Sequence, residues 1–321
     1  LSGVKPTSVL HIGNYFGAIR QFIALQEGND AAYFVADLHA LNQVRDAVEL
    51  RAFARGVALD FLALGVDPEE SILYRQSDLP EAVELEWILA TVTPMGLLQR
   101  SHAYKAALAE GARPDLGLFA YPVLMAADIL IHSADLVPVG QDQKQHIEVT
   151  RDIAVKFNET HGEVLKLPEP YVLQYVAIVP GTDGRKMSKA YNNGIHMFAP
   201  EKALRKEVMR IVTDSTPVES PKDPDSSNAF AIWSLFANEE EQREMVERFR
   251  KGGLGYGEVK QEILARALAY FGPARARREE LERDPDYLED VLREGARRAR
   301  ERAAPLMEAV REAAGVGVPR K

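Results

Sequence analysis

The first two-thirds of the chain alternates short apolar runs with longer amphipathic ones. Four apolar runs have the length of buried strands: 31–36, 72–74, 136–140 and 172–179. Three longer runs carry apolar residues at helical spacing: 13–26, 47–64 and 143–157. Strands that alternate with helices form a parallel sheet covered by helices on both faces. The pattern therefore predicts an α/β fold with a doubly wound, Rossmann-type parallel sheet.

Two stretches depart from this alternation. Residues 80–112 are helical in pattern, and we predict a helical insertion at about 45–115. The apolar side chains between Trp87 and Leu98 are too many for a lone surface helix, so they belong to the core or to a subunit interface. From Pro200 onward the pattern is almost purely helical. We therefore predict a catalytic domain at 1–195 and an all-helical C-terminal domain at 196–321.

Composition narrows the class of protein. The chain has no cysteine, which excludes disulfides, thiolate metal sites and a catalytic thiol. No apolar run approaches the ~18 to 20 residues that cross a bilayer, and no secretory signal is visible. We therefore expect a cytoplasmic protein without a membrane segment. Because the chain opens at Leu1 without a Met, we also expect that a few residues precede it.

The charge is acidic overall but unevenly distributed. The formal net charge of −9 argues against bulk electrostatic binding of nucleic acid, although local binding stays possible. Arginines crowd the last fifty residues: Arg275, Arg277, Arg278, Arg297, Arg298, Arg300 and Arg302. They form either a local nucleic-acid surface or a solvated helix face paired with neighbouring glutamates.

Two short motifs carry the chemistry. Gly3-Val4-Lys5-Pro6-Thr7 precedes His11-Ile12-Gly13-Asn14, which is followed by an amphipathic helix. A strand, a Gly/Pro loop and a helix start can hold phosphates at backbone N–H groups. Lys186-Met187-Ser188-Lys189-Ala190 follows the turn-rich segment 180–184. Each motif alone is a weak signal, but their order and separation together indicate an ATP site.

Four blocks of sequence resemble the tryptophanyl-tRNA synthetases of class I. They are the two motifs, the segment 121–130 and the segment 137–146, in that order, and the similarity extends over nearly the whole chain. Two positions depart from the family pattern. Ser8 stands where Gly is usual, and Ala190 stands where Ser is usual.

The resemblance implies roles at the ATP site. His11 would contact the triphosphate and stabilise charge in the transition state, with Lys186, Ser188 and Lys189. Gly13 would let the nucleotide approach the backbone closely, and Asn14 would cap the helix and donate to phosphate. The complete expected ATP site adds Lys5, Pro6, Thr7, Lys105, Gly140, Gln141, Asp142, Met187 and Ala190. We expect Mg²⁺ to arrive with ATP, and no metal site made of protein ligands.

Asp128 is the most informative carboxylate. With Tyr121 and Met125 it lies at i, i+4 and i+7, on an otherwise apolar helix face. Such an acid needs a partner, which from pattern alone could be a helix cap or an internal ion pair. The resemblance implies that Asp128 accepts the indole N–H of tryptophan, which can only donate. Tyr121 and Gln143 would then bind the ammonium group, and Met125, Val137 and Val139 would line the indole slot.

The resemblance thus implies a tryptophan–tRNA ligase. It would join L-tryptophan to ATP, release pyrophosphate, and transfer the aminoacyl group to the 3′ end of tRNA(Trp), as a homodimer. The resemblance also implies that the helical domain 196–321 binds the tRNA anticodon, with the arginine-dense helices as its candidate surface. Two alternatives stay open. One is a tyrosine enzyme of the same architecture, and the other is a synthetase-like protein without catalysis.

Overall fold

The computed structural model describes residues 1–111, 113–139, 144–172 and 179–317; the side chains of residues 139 and 172 are outside this description. Five strands are present there: β1 Ser2–Val4, β2 Ala32–Val35, β3 Ile72–Arg75, β4 Leu136–Val139 and β5 Glu169–Val172. The helices of the first part are α1 Ile12–Asn14, α2 Arg20–Ala24, α3 Asp37–Ala40, α4 Ala47–Leu64, α5 Glu81–Ala90, α6 Met95–Gln99, α7 His102–Ala109, α8 Leu116–Leu130 and α9 Lys144–His161. The remaining helices are α10 Glu201–Met209, α11 Asn228–Ser234, α12 Glu239–Lys251, α13 Tyr256–Arg283 and α14 Pro285–Ala314.

The strands form a parallel arrangement. β2 pairs with β1 on one side and with β3 on the other, and β4 pairs with β5, all in parallel. The nitrogen of Leu1 donates to the carbonyl of Leu136 at 3.3 Å, which places β4 beside β1. The structure thus has two parallel sheets, β1-β2-β3 and β4-β5, which lie side by side with the strands in the order β3-β2-β1-β4-β5. The predicted α/β fold with a parallel sheet is confirmed. Most of the strand predicted at 172–179 lies outside the described residues.

Local chemistry explains where the longest early helix begins and ends. The side chain of Asp46 accepts hydrogen bonds from the N–H groups of Val48 and Glu49, so it caps the start of α4. Gly65 ends the helix with a φ of 109°, in the left-handed region that glycine adopts without strain. The bounds of α4 match the prediction from sequence, 47–64, because both signals are local.

The helices between β3 and α8 bury only some of their apolar side chains. Ile88, Leu89, Leu97 and Leu98 are buried, whereas Trp87 is 73% exposed. The core interpretation therefore holds for these four side chains but not for Trp87 or for Met95, which is 63% exposed. The range predicted as an insertion, about 45–115, also includes β3, which hydrogen-bonds to β2 and is part of the sheet.

The last helix, α14, packs against the sheet. α14 packs on β3 so closely that a Cβ atom at Gly295 would lie 1.8 Å from the carbonyl oxygen of Leu73. Its buried residues from Ala296 to Val310 share one apolar core with β2, β3, α5 and α8, whereas Leu288 and Leu292 pack in a second core with α4 and α13. The division at 195/196 stays a prediction, but the packing makes α14 a structural part of the sheet region.

Candidate active site

A pocket of about 210 Å³ lies where the strand order reverses, between β1 and β4. Open α/β sheets bind ligands at this point, outside the carboxyl ends of the strands. Its lining includes six residues that matter below: Lys5, His39, Tyr121, Met125, Asp128 and Val137. Five of these, all except His39, were predicted as site residues from the sequence.

Asp128 is 2% exposed and has internal partners. The amide of Gln76 lies 2.9 and 2.8 Å from its two carboxylate oxygens, and His39 Nε2 lies 2.9 Å from Oδ2. An ionised carboxylate has about four acceptor positions, and these contacts use three. The internal pairing that the sequence left open is therefore present, and one acceptor position remains for a ligand N–H.

Sequence reasoning missed His39 and Gln76 as site residues. His39 lies in α3, directly after β2, and Gln76 directly follows β3. Their partnership with Asp128 depends on parallel strands ending at the same edge of the sheet. A polar residue just beyond each predicted strand was the available signal.

Of the other residues predicted to bind the amino acid, Tyr121 and Met125 lie in the part of the chain that the structure describes. The Tyr121 hydroxyl lies 3.4 Å from His146 Nε2, and burial raises the pKa of Tyr121, so the phenol keeps its proton at neutral pH. Met125 packs against Val137, Ile129 and Ile147, as a lining residue would. The predictions for Gly140, Gln141, Asp142, Gln143 and the side chain of Val139 lie outside the described residues.

His11 forms the start of α1. Its Nδ1 accepts from the N–H of Asn14 at 3.2 Å, while the Asn14 side-chain oxygen accepts from the N–H of His11 at 3.0 Å. The expected cap at Asn14 is therefore wrong: His11 is the N-cap, and Asn14 completes a reciprocal capping box. Burial, and secondly the charge of His196, lower the pKa of His11 to about 4. The ring is neutral at pH 7, with its proton on Nε2.

Gly13 brings the two motifs together. A Cβ atom there would lie 2.9 Å from His11 Nδ1 and 3.1 Å from the Cβ of Met187, so no side chain fits. Met187 is buried against this gap, and the N–H of Ile12 donates to the carbonyl of Ile195 at 2.9 Å. The predicted packing role of Met187 thus becomes a specific contact between the two motifs.

The second motif follows a hairpin organised by Asn193. The N–H of Met187 donates to the Val179 carbonyl at 2.9 Å. Asn193 is 1% exposed; its side-chain oxygen accepts from the N–H of Ser188 at 2.8 Å, and its amide donates to Asp183 at 2.6 Å. Sequence reasoning missed this asparagine, because a polar residue in a loop carries no sign that it is buried.

The two predicted lysines are exposed on this loop. Lys189 Nζ donates to the carbonyl of Thr7 at 2.5 Å, which joins the second motif to the loop before the first. Lys186 lies at the end of the hairpin, where it forms a strand-like bridge with Pro180. Ser188 caps the turn that contains Lys189, because its hydroxyl oxygen accepts from the N–H of Ala190.

Not every predicted ATP-site residue is brought to this place. Pro6 is buried in the loop between Lys5 and Thr7. Lys105 is exposed on α7, and no contact recorded among the described residues links it to the pocket. Lys105 therefore stays a prediction from the resemblance alone.

The arginines near the C-terminus are used inside the protein. Arg278 pairs with the buried Asp60 at 2.6 Å, and Arg298 donates to the carbonyls of Pro68 and Ser71 at 2.7 and 3.1 Å. Arg275, Arg277, Arg297, Arg300 and Arg302 likewise bind carbonyl or carboxylate oxygens. Of the two interpretations that the sequence left open, pairing within the protein is present: these side chains hold α13 and α14 in place or pair along the helices, and binding of tRNA by them stays a prediction.

Among the residues that the structure describes, no three His, Asp or Glu side chains come together as metal ligands. Within the same residues, every helix is too short or too polar to span a bilayer.

Comparisons with known proteins agree with this geometry. The model of the class I tRNA synthetases for W and Y matches residues 1–272. The tryptophan–tRNA ligase of Fusobacterium nucleatum is 52% identical over 317 residues, which cover 98% of this chain and 97% of that protein. The one from Rhodopirellula baltica is 54% identical, with coverages of 98% and 99%. The structure of Campylobacter jejuni tryptophanyl-tRNA synthetase with ADP and tryptophan superposes with a TM-score of 0.92 at 47% identity, covering 98% and 99%.

Proposed function

Because the chain belongs to the class I tRNA synthetases for tryptophan and tyrosine, we propose that it is a tryptophan–tRNA ligase. It activates L-tryptophan with ATP and transfers the product to tRNA. The relatives that carry this name match the chain from end to end, and the similar Campylobacter structure holds ADP and tryptophan.

The proposal of tryptophan as the amino acid rests on the buried Asp128 in the pocket between β1 and β4. An indole N–H can only donate, so it needs an acceptor that nothing else has saturated. Asp128 offers one remaining acceptor position, next to the apolar side chains of Met125 and Val137. A phenol both donates and accepts, so a tyrosine site would need a donor as well at this place.

The chemical step needs positioning and charge stabilisation rather than a general base. The tryptophan carboxylate is already ionised when it attacks the α-phosphate, and pyrophosphate leaves on the opposite side. His11 is neutral at pH 7 and offers an Nε2–H donor without adding a buried charge. Lys186 and Lys189, on the loop that reaches Thr7, stabilise the charge that builds on the leaving group.

In this proposal Mg²⁺ comes with the nucleotide and would be held by the phosphate oxygens of ATP. When bound, the ion supplies further neutralisation of phosphate charge. Lys186 and Lys189 do the same from the protein side.

Transfer RNA requires a local basic surface, and α10 is the best candidate. Lys202, Arg205 and Lys206 are exposed on this helix, and none of them has a recorded partner within the described part of the chain. Arg298 and Arg300 of α14, by contrast, already donate to backbone carbonyls. Unpaired cations can neutralise phosphates without first losing an internal contact.

Two further properties complete the proposal. The exposed apolar side chains of Trp87, Met95 and Leu116 support a homodimer formed by the region between α5 and α8. The location is the cytoplasm, where translation consumes aminoacyl-tRNA.

The test is exchange of labelled pyrophosphate into ATP, measured with each of the twenty amino acids. Tryptophan alone should support fast exchange, and tRNA(Trp) should then be charged. Exchange that depends on tyrosine would replace the proposal with a tyrosine enzyme. No exchange with any amino acid, from a folded protein, would leave a non-catalytic relative.

A further inference from the structure

A second histidine stands beside His11 and has no assigned role. The ring centroids of His11 and His196 are 6.4 Å apart, and the rings meet edge to face at 73°. His196 lies in the segment between the lysine loop and α10, nearly two hundred residues from the first motif along the chain. Only the fold brings the two imidazoles together.

His196 is held by one carboxylate at two points. Its backbone N–H donates to Glu207 Oε2 at 2.8 Å, and its Nδ1 lies 2.8 Å from Glu207 Oε1. Glu207 is on α10, so the carboxylate fixes both the backbone and the ring of His196 to a regular helix. Two bonds to one group leave a side chain little freedom, which gives the ring a defined position.

The space around His11 is closed on two sides. Gly13 lies against Nδ1 on one side, where a Cβ would be only 2.9 Å away. A Cβ at Gly194 would lie 3.1 Å from the His196 ring and 3.5 Å from the Cβ of His11. Gly13 therefore lets the backbone approach the His11 ring, Gly194 lets it approach both histidine side chains, and His196 lies edge to face beside the ring.

We infer that His196, tethered by Glu207, is a positioning residue that keeps the His11 ring in the orientation used for adenylation. It acts through His11 rather than on the substrate. The inference rests on the proposed function for its kinetic consequence only, because the state of the His11 ring can be observed without any reaction.

The electrostatics are consistent with this geometry. Within the described residues, the influences on the His11 ring besides burial are His196 and the backbone of His11 itself. A protonated His196 disfavours a second positive ring beside it. Removing that ring should raise the pKa of His11, although burial, the larger cause, would keep it below the ordinary value.

Two substitutions separate positioning from simple anchoring. His196→Asn keeps a side-chain N–H near the place of Nδ1, so the bond to Glu207 survives, but the ring beside His11 is lost. His196→Phe keeps a ring but loses the bond to Glu207. Glu201→Gln, on the exposed first turn of α10, is the matched control and should behave as wild type.

The experiment measures pyrophosphate exchange and the ¹⁵N spectra of the histidine rings, with His11 assigned from a His11→Gln variant. For His196→Asn we expect thermal stability close to wild type, a kcat lowered by about 10- to 100-fold, a much smaller change in the KM for ATP, and a higher His11 pKa. His196→Phe should lose less kcat than His196→Asn but should also raise the His11 pKa.

Two outcomes would overturn the inference. If His196→Asn keeps both the wild-type kcat and the wild-type His11 spectrum, the pair is only an anchor between the loop and α10. If the kcat falls while the His11 spectrum is unchanged, His196 acts by another route. Absence of exchange in the wild-type protein would instead refute the proposed function, and the spectra would still decide the inference.

Discussion

Replacing Asp128 with Ala tests the tryptophan assignment most directly. The substitution removes the acceptor that the indole N–H would use, and phenylalanine, which has no such donor, loses nothing. A hydrogen bond to a charged group contributes about 1.5–3 kcal/mol, which corresponds to roughly 10- to 150-fold in kcat/KM. We therefore expect kcat/KM for tryptophan to fall by that factor while the value for phenylalanine stays nearly constant.

The same substitution has a separate cost in stability. Gln76 and His39 each lose their contacts with the carboxylate, and Gln76 is only 1% exposed. A buried polar group left without a partner costs about 1–3 kcal/mol, less where water enters the space. Denaturant unfolding should therefore show a less stable protein, and kinetics must be measured at a temperature where the variant is folded.

Gln76→Ala is the control that separates the two effects. It removes two contacts to Asp128 but leaves the carboxylate in place, so stability should fall while discrimination between tryptophan and phenylalanine is kept. The assay is amino-acid-dependent pyrophosphate exchange with both amino acids and all three proteins. Wild-type tryptophan kinetics in Asp128→Ala would refute the assignment, and an equal loss for both amino acids would point to damage of the fold.

Three more predictions follow from the structure. Lys189→Ala should lower the rate of adenylate formation by about 10²-fold or more with a smaller change in ATP affinity, measured by rapid quench; a change in affinity alone would contradict the transition-state role. Neutralising Lys202, Arg205 and Lys206 together should weaken tRNA charging and flatten its salt dependence but leave pyrophosphate exchange unchanged. The matched control, neutralising Arg297, Arg298 and Arg300, should lower the unfolding temperature instead. The opposite result would indicate that α14 binds the tRNA. Burial lowers the pKa of His132 to about 3 from an ordinary value of 6.5. Between these pH values the folded chain therefore binds fewer protons than the unfolded one. The contribution of neutral His132 to the free energy of unfolding is fully present above pH 6.5 and is lost progressively as the pH falls toward 3. Chemical denaturation from pH 7 to 4 should show a smaller loss for His132→Phe than for wild type, and parallel curves would contradict the assignment.

The parts of the fold that sequence predicted well are those governed by neighbours in the chain. The start of α4 at the Asp46 cap and its end at Gly65 depend on a few adjacent residues, so the sequence carries the whole signal. The strands β2, β3 and β4 and their parallel pairing follow from the alternation of strand and helix, whereas β5 at Glu169–Val172 lies before the strand predicted at 172–179. The return of α14 to β3 could not be predicted in this way, because its signal is a single glycine whose contact lies more than two hundred residues away.

The same distinction applies to the candidate site: local sequence signals identified some of its residues, and only the fold identified the others. The two motifs identified His11, Lys186 and Lys189 through their resemblance to a family, and Asp128 was identified because an acid is unusual on an otherwise apolar helix face. The partners of these residues were not identified, since Gln76 and Asn193 become significant only when the fold buries them against Asp128 and the lysine loop. The arginines of α14 show the converse case. They look like a binding surface in the sequence, but the fold uses them internally.

The two motifs are best understood as one tertiary unit. Gly13 leaves just enough room for the His11 ring on one side and for Met187 on the other, so the neutral donor and the lysine loop share a single packed contact. Met187, between the two lysines in sequence, is the buried member of the loop, and the lysines on either side of it are exposed. A Gly13→Ala change should therefore disturb both groups at once, whereas truncating Lys189 removes only one. The contact requires that Gly13 has no Cβ atom, and each of the two motifs supplies one side of it. Each short motif is therefore informative only when the other motif is present in the same chain.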